Sequence, residues 1–212
     1  MLQELLVFGI KKGFFEIKNL GQLNSSCCSQ SILEVIDYDE TAKKIKRELN
    51  NKIRTPKSAD ALKIIPKHNR VDFIELKGFE KFIKYQDVTN DSIESQIKDF
   101  NLREKIESSS FILDYIIRCE EFTVNGKSAL DEYRNKSKNF IITTDIESPL
   151  ENRLFLYDYL AGDGSEKMDT IKQTIMEKLI QSTNNISLNG LNRPVILSCN
   201  EIDGYYASLE QS

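Results

Sequence analysis

Apolar and polar positions divide the chain into elements before any chemistry is considered. Residues 60–65 (DALKII) and 70–77 (RVDFIELK) are two apolar-rich runs on either side of PKHN at 66–69, a pattern that predicts an antiparallel hairpin. If Ile65 faces Arg70, paired positions sum to 135, and Asp60 stands opposite Glu75. Side chains alternate along a strand, so Glu75 and Lys77 share one face with Leu62, Ile64, Val71 and Phe73. Residues 32–38 (ILEVIDY) alternate and are rich in β-branched residues, which predicts a strand. Asp37 and Glu40 have the spacing of a capping box, opening a helix to about Asn50 striped by Ala42, Ile45 and Leu49. Thr55-Pro56 ends that helix at the latest. Residues 4–18 read as strands or a hairpin around Gly13.

Further along, Ile93, Ile97 and Phe100, then Phe111, Ile112, Tyr115, Ile116 and Cys119, recur at helical spacing. They predict one long helix, or two broken near the serines at 108–110. KNFIITTDI (138–146) reads as a strand, and residues 150–160 are ambiguous. Asp163 or Ser165 opens a helix to about Gln181, striped by Met168, Ile171, Ile175 and Leu179. RPVILSC (193–199) is a final strand, with Pro194 pointing to a sheet edge. The order predicts a mixed α/β (α+β) fold in one domain over 1–212, a central mixed sheet flanked by helices. Strands at 1–20 precede its core, and a helix–strand extension at 150–212 follows.

Composition narrows the classes. The chain has 212 residues, 40% hydrophobic and 29% charged. No apolar run approaches the ~20 residues of a membrane span. The opening MLQELLVFGIKKGFFEIK is broken by charges and has no small-residue cleavage site, so a cytoplasmic protein with no membrane partner is expected. His68 is the only histidine, in a turn, which argues against Ser-His or Cys-His nucleophile chemistry. Cys27, Cys28, Cys119 and Cys199 lack zinc-knuckle spacing, so reduced thiols are expected rather than a zinc site. The net charge is −4, yet residues 43–70 carry ten Lys/Arg against Glu48 and Asp60, or +8, leaving −12 elsewhere. Such asymmetry suits either a polyanion partner or a solvated basic face. AGDGSEK (161–167) is a loop with a helix cap rather than a phosphate loop.

The chemistry concentrates on the hairpin. Opposed carboxylates at 60 and 75 repel unless something sits between them, and a divalent cation would. The Leu76 carbonyl could add an oxygen, and Lys77 could orient an attacking water and offset transition-state charge. Asp60, fourteen residues, then Glu75-Leu76-Lys77 on an apolar strand resembles the PD-(D/E)xK phosphodiesterase superfamily, the restriction-endonuclease-like fold. The order of elements, a helix before the hairpin and a helix then a strand after it, is similar too. The likeness spans about 37–146 within a core at about 32–146. It implies Mg²⁺- or Mn²⁺-dependent hydrolysis of DNA or RNA, with Asp60 and Glu75 as metal ligands and Lys77 as the catalytic lysine. Glu40 or Glu48 on the first helix would be the additional acid; Gln96 and Lys105 on the following helix could reach the site, as in some members, but are expected at the surface. Ala59 replaces the family's proline. The family strand between first helix and hairpin has no good candidate in IRTPKS, so a strand from 4–18 or 32–38 is expected to take its place. A second reading keeps the fold without catalysis, as an interaction or regulatory subunit of a nucleic-acid complex or a homo-oligomer. A third is an unrelated α/β protein whose acids decorate a solvated strand end.

Overall fold

The computed structural model describes residues 1–23, 27–49, 57–85, 87–119, 122, 129–146, 165–184, 186 and 191–211. Its organising feature is the hairpin of β3 (Ala61–Ile65) and β4 (Arg70–Lys77), with Ile65 opposite Arg70 and Ala61 opposite Ile74. The register is therefore the one the turn predicts. Pro66–His68 form a 3-10 turn, and Asn69 closes it at φ 49°, a left-handed conformation that Asn tolerates.

Around the hairpin, β1 (Ile17–Asn19), β2 (Glu34–Asp37), β5 (Ser137–Thr144) and β6 (Val195–Ser198) complete one six-stranded mixed sheet in chain order. β1 to β4 pair antiparallel, while β4, β5 and β6 run parallel. β2 takes the place beside β3, and β6, following Pro194, lies at the edge. IRTPKS falls largely outside the described residues, as do residues 150–160.

Helices cover both faces. One face packs Leu62, Ile64, Val71, Phe73, Phe140 and Ile142 under α1 (Leu2–Lys11), α2 (Tyr38–Glu48), α3 (Glu80–Tyr85), α4 (Asn90–Asp99), α5 (Leu102–Ile117), α6 (Ala129–Arg134) and α7 (Ser165–Asn184). The other face packs Ala61, Ile65, Ile74, Leu76 and Ile141 against the segment around Leu20–Gln22 and α8 (Ile202–Gln211). Glu75 and Lys77, odd-numbered like Val71 and Phe73, lie on the thicker side. Among the described residues, no helix is long and apolar enough to cross a membrane.

Three expectations need correction. Residues 4–18 are mostly helical, because Leu2, Leu5 and Gly9 form a buried stripe at helical rather than alternating spacing; only residues 17–19 are strand. A Cβ on Gly9 would overlap the Phe15 ring, so glycine lets the returning chain cross that helix closely. The helical region 90–119 breaks at Asn101, φ 53°, and not at the serines. Ser109 is instead a buried tie: its Oγ accepts from Ala59 N (2.8 Å) and donates to the Lys105 carbonyl (2.6 Å), while its own carbonyl accepts from Tyr38 Oη (2.8 Å). Met168 is exposed, and the buried stripe of α7 is carried by Ile175, Met176 and Leu179.

Candidate functional site

The site grows from the end of β4. An apolar strand with helices above it encloses Glu75, whose side chain is 0% exposed. Oε1 of Glu75 meets two ammonium groups, Lys105 Nζ at 2.5 Å and Lys77 Nζ. Oε2 is buried and has no hydrogen-bond partner among the described residues. Burial and the nearby Asp60 carboxylate push the Glu75 pKa up to about 7, against the downward pull of Lys77 and Lys105. Asp60 immediately precedes β3, and extending the hairpin register sets it across from Glu75. Its Oδ2 accepts from Leu76 N at 2.7 Å, which fixes the start of β3 against the end of β4.

Two helices close the site. From α5, Lys105 reaches Glu75; burial would lower its pKa, but Glu75 and Asp60 outweigh that and hold it above its usual value. From the first turn of α2, Asp39 accepts from Ser58 Oγ at 2.8 Å. Burial raises the Asp39 pKa, Ser58 opposes the rise, and Asp60 adds to it. Lys77 lies over the Phe100 ring, 4.7 Å from its centroid, at the α4–α5 break. The left-handed turn at Asn101 thus sets the ring that seats the lysine. The constellation is three carboxylates against two ammonium groups, with one buried carboxylate oxygen that has no partner among the described residues. A divalent cation would correct both the excess negative charge and the orphaned acceptor.

No family model, curated protein or solved structure matches this chain.

Asp60, Glu75 and Lys77 are thus gathered at one end of the hairpin. Leu76 sends its side chain into the opposite core while its N–H is held by Asp60. Glu40 is turned elsewhere: its N–H is capped by Asp37, and its carboxylate pairs with Lys43 at 2.5 Å. Glu48 lines a separate groove with Phe8, Lys12, Tyr115 and Cys119. The helix acid that meets the site is Asp39, because one step along a helix rotates the side chain by about 100°. Lys105 belongs to the site and not the surface, whereas Gln96 is half-buried on α4. A signal for Lys105 was present, since it lies between Leu102 and Ser109 on the buried stripe of α5. The basic run at 43–70 is partly neutralised by acids of the same and other elements, Lys43 with Glu40, Lys57 with Glu104 and Arg70 with Asp72.

Two further clusters lie outside this site. Buried Asp72 accepts from Arg70 Nε (2.7 Å), Asn139 Nδ2 (2.7 Å) and Tyr206 Oη (3.0 Å), a saturated network that ties α8 to the sheet. Near the end of the sheet, Cys28 and Cys199 are joined as a disulfide with Cys27 beside them, so the expectation of uniformly reduced thiols does not hold. Adjacent Cys27 and Cys28 do not bond each other; a residue 171 positions away supplies the partner, which sequence spacing does not reveal.

Proposed function

We propose that this chain is a metal-dependent nuclease of the PD-(D/E)xK type, hydrolysing phosphodiester bonds of DNA or RNA. The observation that carries the reading is the Glu75 carboxylate, buried at the junction of Asp60, Lys77 and Lys105 with Oε2 unpartnered. The Asp60 and Glu75 carboxylates offer hard oxygen donors of the kind Mg²⁺ or Mn²⁺ takes alongside water, with the Leu76 carbonyl as a further oxygen. Bound there, the cation would supply Lewis acidity toward a phosphate oxygen and its coordinated water. Asp60 holds the two strand ends in register through Leu76 N. Lys77, seated on Phe100, orients the attacking water and offsets charge on the phosphorane-like transition state. Lys105 pulls the Glu75 pKa down, against the stronger upward push of burial and Asp60.

A second reading, a non-catalytic subunit that retains the fold, draws support from enclosure. Glu75 is fully buried, and Lys77 and Lys105 side chains are only 14% and 17% exposed, so a substrate phosphate needs the lysines to swing aside. One assay separates the two. Labelled single- and double-stranded DNA and RNA are incubated with wild type, Asp60→Ala and Lys77→Met in Mg²⁺, Mn²⁺ or chelator. The nuclease reading expects cleavage by wild type with metal only, lost in both variants. Absence of cleavage by wild type on every substrate, with no metal-induced thermal shift, favours the subunit.

A further inference from the structure

The segment carrying Cys27 and Cys28 and the residue after β6, Cys199, bring three sulfurs together. Cys27 Sγ lies 3.7 Å from Cys28 Sγ and 3.5 Å from Cys199 Sγ, and all three fall within 4.8 Å of one another. A disulfide needs two of them; the third stands in contact without a bond. Tetrahedral zinc holds thiolates at ~2.3 Å, which sets neighbouring sulfurs ~3.8 Å apart. Two edges of this triangle already approach that spacing. The sulfurs line a groove of about 450 Å³ that includes Glu80 and Asp203. Asp203 is spent on Ser31 Oγ (2.5 Å) and Ile32 N (3.2 Å), so the fourth ligand is left to water.

We propose that Cys27, Cys28 and Cys199 form a thiolate site for one soft divalent cation, Zn²⁺, filled when the Cys28–Cys199 bond is reduced. Opening that bond takes two electrons and two protons and yields two thiols: a dithiol supplies both and becomes a disulfide, whereas a phosphine supplies the electrons and water the protons, leaving the phosphine oxide. Binding then releases three thiol protons and leaves a water in the fourth position. Soft sulfur ligands separate this site from the oxygen donors around Glu75. Its position gives it a structural task. Cys27 Sγ approaches the Thr143 carbonyl on β5 at 3.7 Å, and a Cβ on Gly78, next to Lys77, would lie 3.4 Å from the Cys27 Cβ. A filled site therefore clamps the segment to the ends of β4, β5 and β6. This inference does not depend on the nuclease reading.

The test uses the full chain, reduced with a water-soluble phosphine under anaerobic conditions and loaded with Zn²⁺ or Co²⁺. About one equivalent of zinc should survive desalting, and cobalt should give a thiolate-to-metal charge-transfer band. Cys27→Ser and Cys199→Ser should each lose the band and retain at least about ten-fold less zinc, whereas Cys119→Ser and Glu75→Gln should keep both. Diamide should expel the metal from the loaded wild type as Cys28 and Cys199 give up two electrons and re-form their bond. Cys27→Ser leaves the disulfide pair intact, so it remains decisive if Cys199→Ser folds poorly by circular dichroism. A reduced wild type without the band, or a band that survives Cys27→Ser, overturns the proposal.

Discussion

Replacing Glu75 by Gln isolates the electrostatic cost of the site. The folded-state pKa of Glu75 is about 7, against an ordinary 4.5, because burial and Asp60 disfavour its charged form. A carboxyl raised in the folded state binds its proton more tightly there than in the unfolded chain. Its stabilising contribution is therefore complete below pH 4.5, falls as pH rises, and is gone above about pH 7. At ~1.36 kcal/mol per pH unit, the loss across that window is about 3 kcal/mol. Gln imitates the protonated form, so Glu75→Gln should match wild type near pH 4.5 and exceed it by about 3 kcal/mol at pH 8. Urea unfolding of both proteins at half-unit steps from pH 4.5 to 9 measures the difference, and titrations common to the two cancel. Saturating Mn²⁺ should narrow the gap at pH 8, since the cation stabilises the ionised carboxylate in wild type and finds a poorer ligand in the variant. A difference that stays flat with pH, or grows only above pH 8, would refute the assignment of Glu75 as the strained acid.

Other substitutions probe the supports. Ser109→Ala should cost about 1–3 kcal/mol in urea melts, since the buried Ala59 N–H that Ser109 Oγ accepts is left without a partner. Tyr206→Phe should cost about 1–3 kcal/mol by removing one of three donors to Asp72, with no effect on Mn²⁺-induced stabilisation. Lys77→Met keeps the aliphatic stem over Phe100; metal-dependent cleavage should fall by about 100-fold or more while Mn²⁺-induced stabilisation persists, as a titrated thermal shift would report.

The hairpin was legible because two independent local rules agree on it: a polar four-residue turn fixes the register, and period-2 alternation fixes the face. Glu75 and Lys77 follow from those two facts alone. α1 was not legible in the same way. LQELLVFGI is rich in residues that suit strands as well as helices, and the helical assignment rests on Leu5 and Gly9 packing against Phe14 and Phe15, contacts made only once the chain has turned back. The serines at 108–110 look like a break when propensity is weighed alone, yet Ser109 answers a buried N–H and so belongs to the helix.

The acid and base that complete the site illustrate a more general limit. Asp39 and Glu40 are neighbours at the start of α2, both suited to a helix N-terminus by charge. What distinguishes them is their partners: the Glu40 N–H is capped by Asp37 and its carboxylate pairs with Lys43, whereas Asp39, the more exposed of the two, accepts from Ser58 and feels the Asp60 charge. Lys105 is the mirror case, a charge on the buried stripe of α5 that an average preference for the surface misplaces. A lysine at a core-facing helical position needs a buried anion, and the sequence places an anion at the core-facing position of β4. Pairing those two anomalies, each costly alone, predicts their contact from sequence, and Lys105 Nζ stands 2.5 Å from Glu75 Oε1. The same reasoning predicts that Lys105→Met costs less in the Glu75→Gln background than in wild type, because in wild type it strips a counter-ion from a buried carboxylate. A double-mutant cycle at pH 8 measures this, and additive single effects would show that the two groups do not compensate each other.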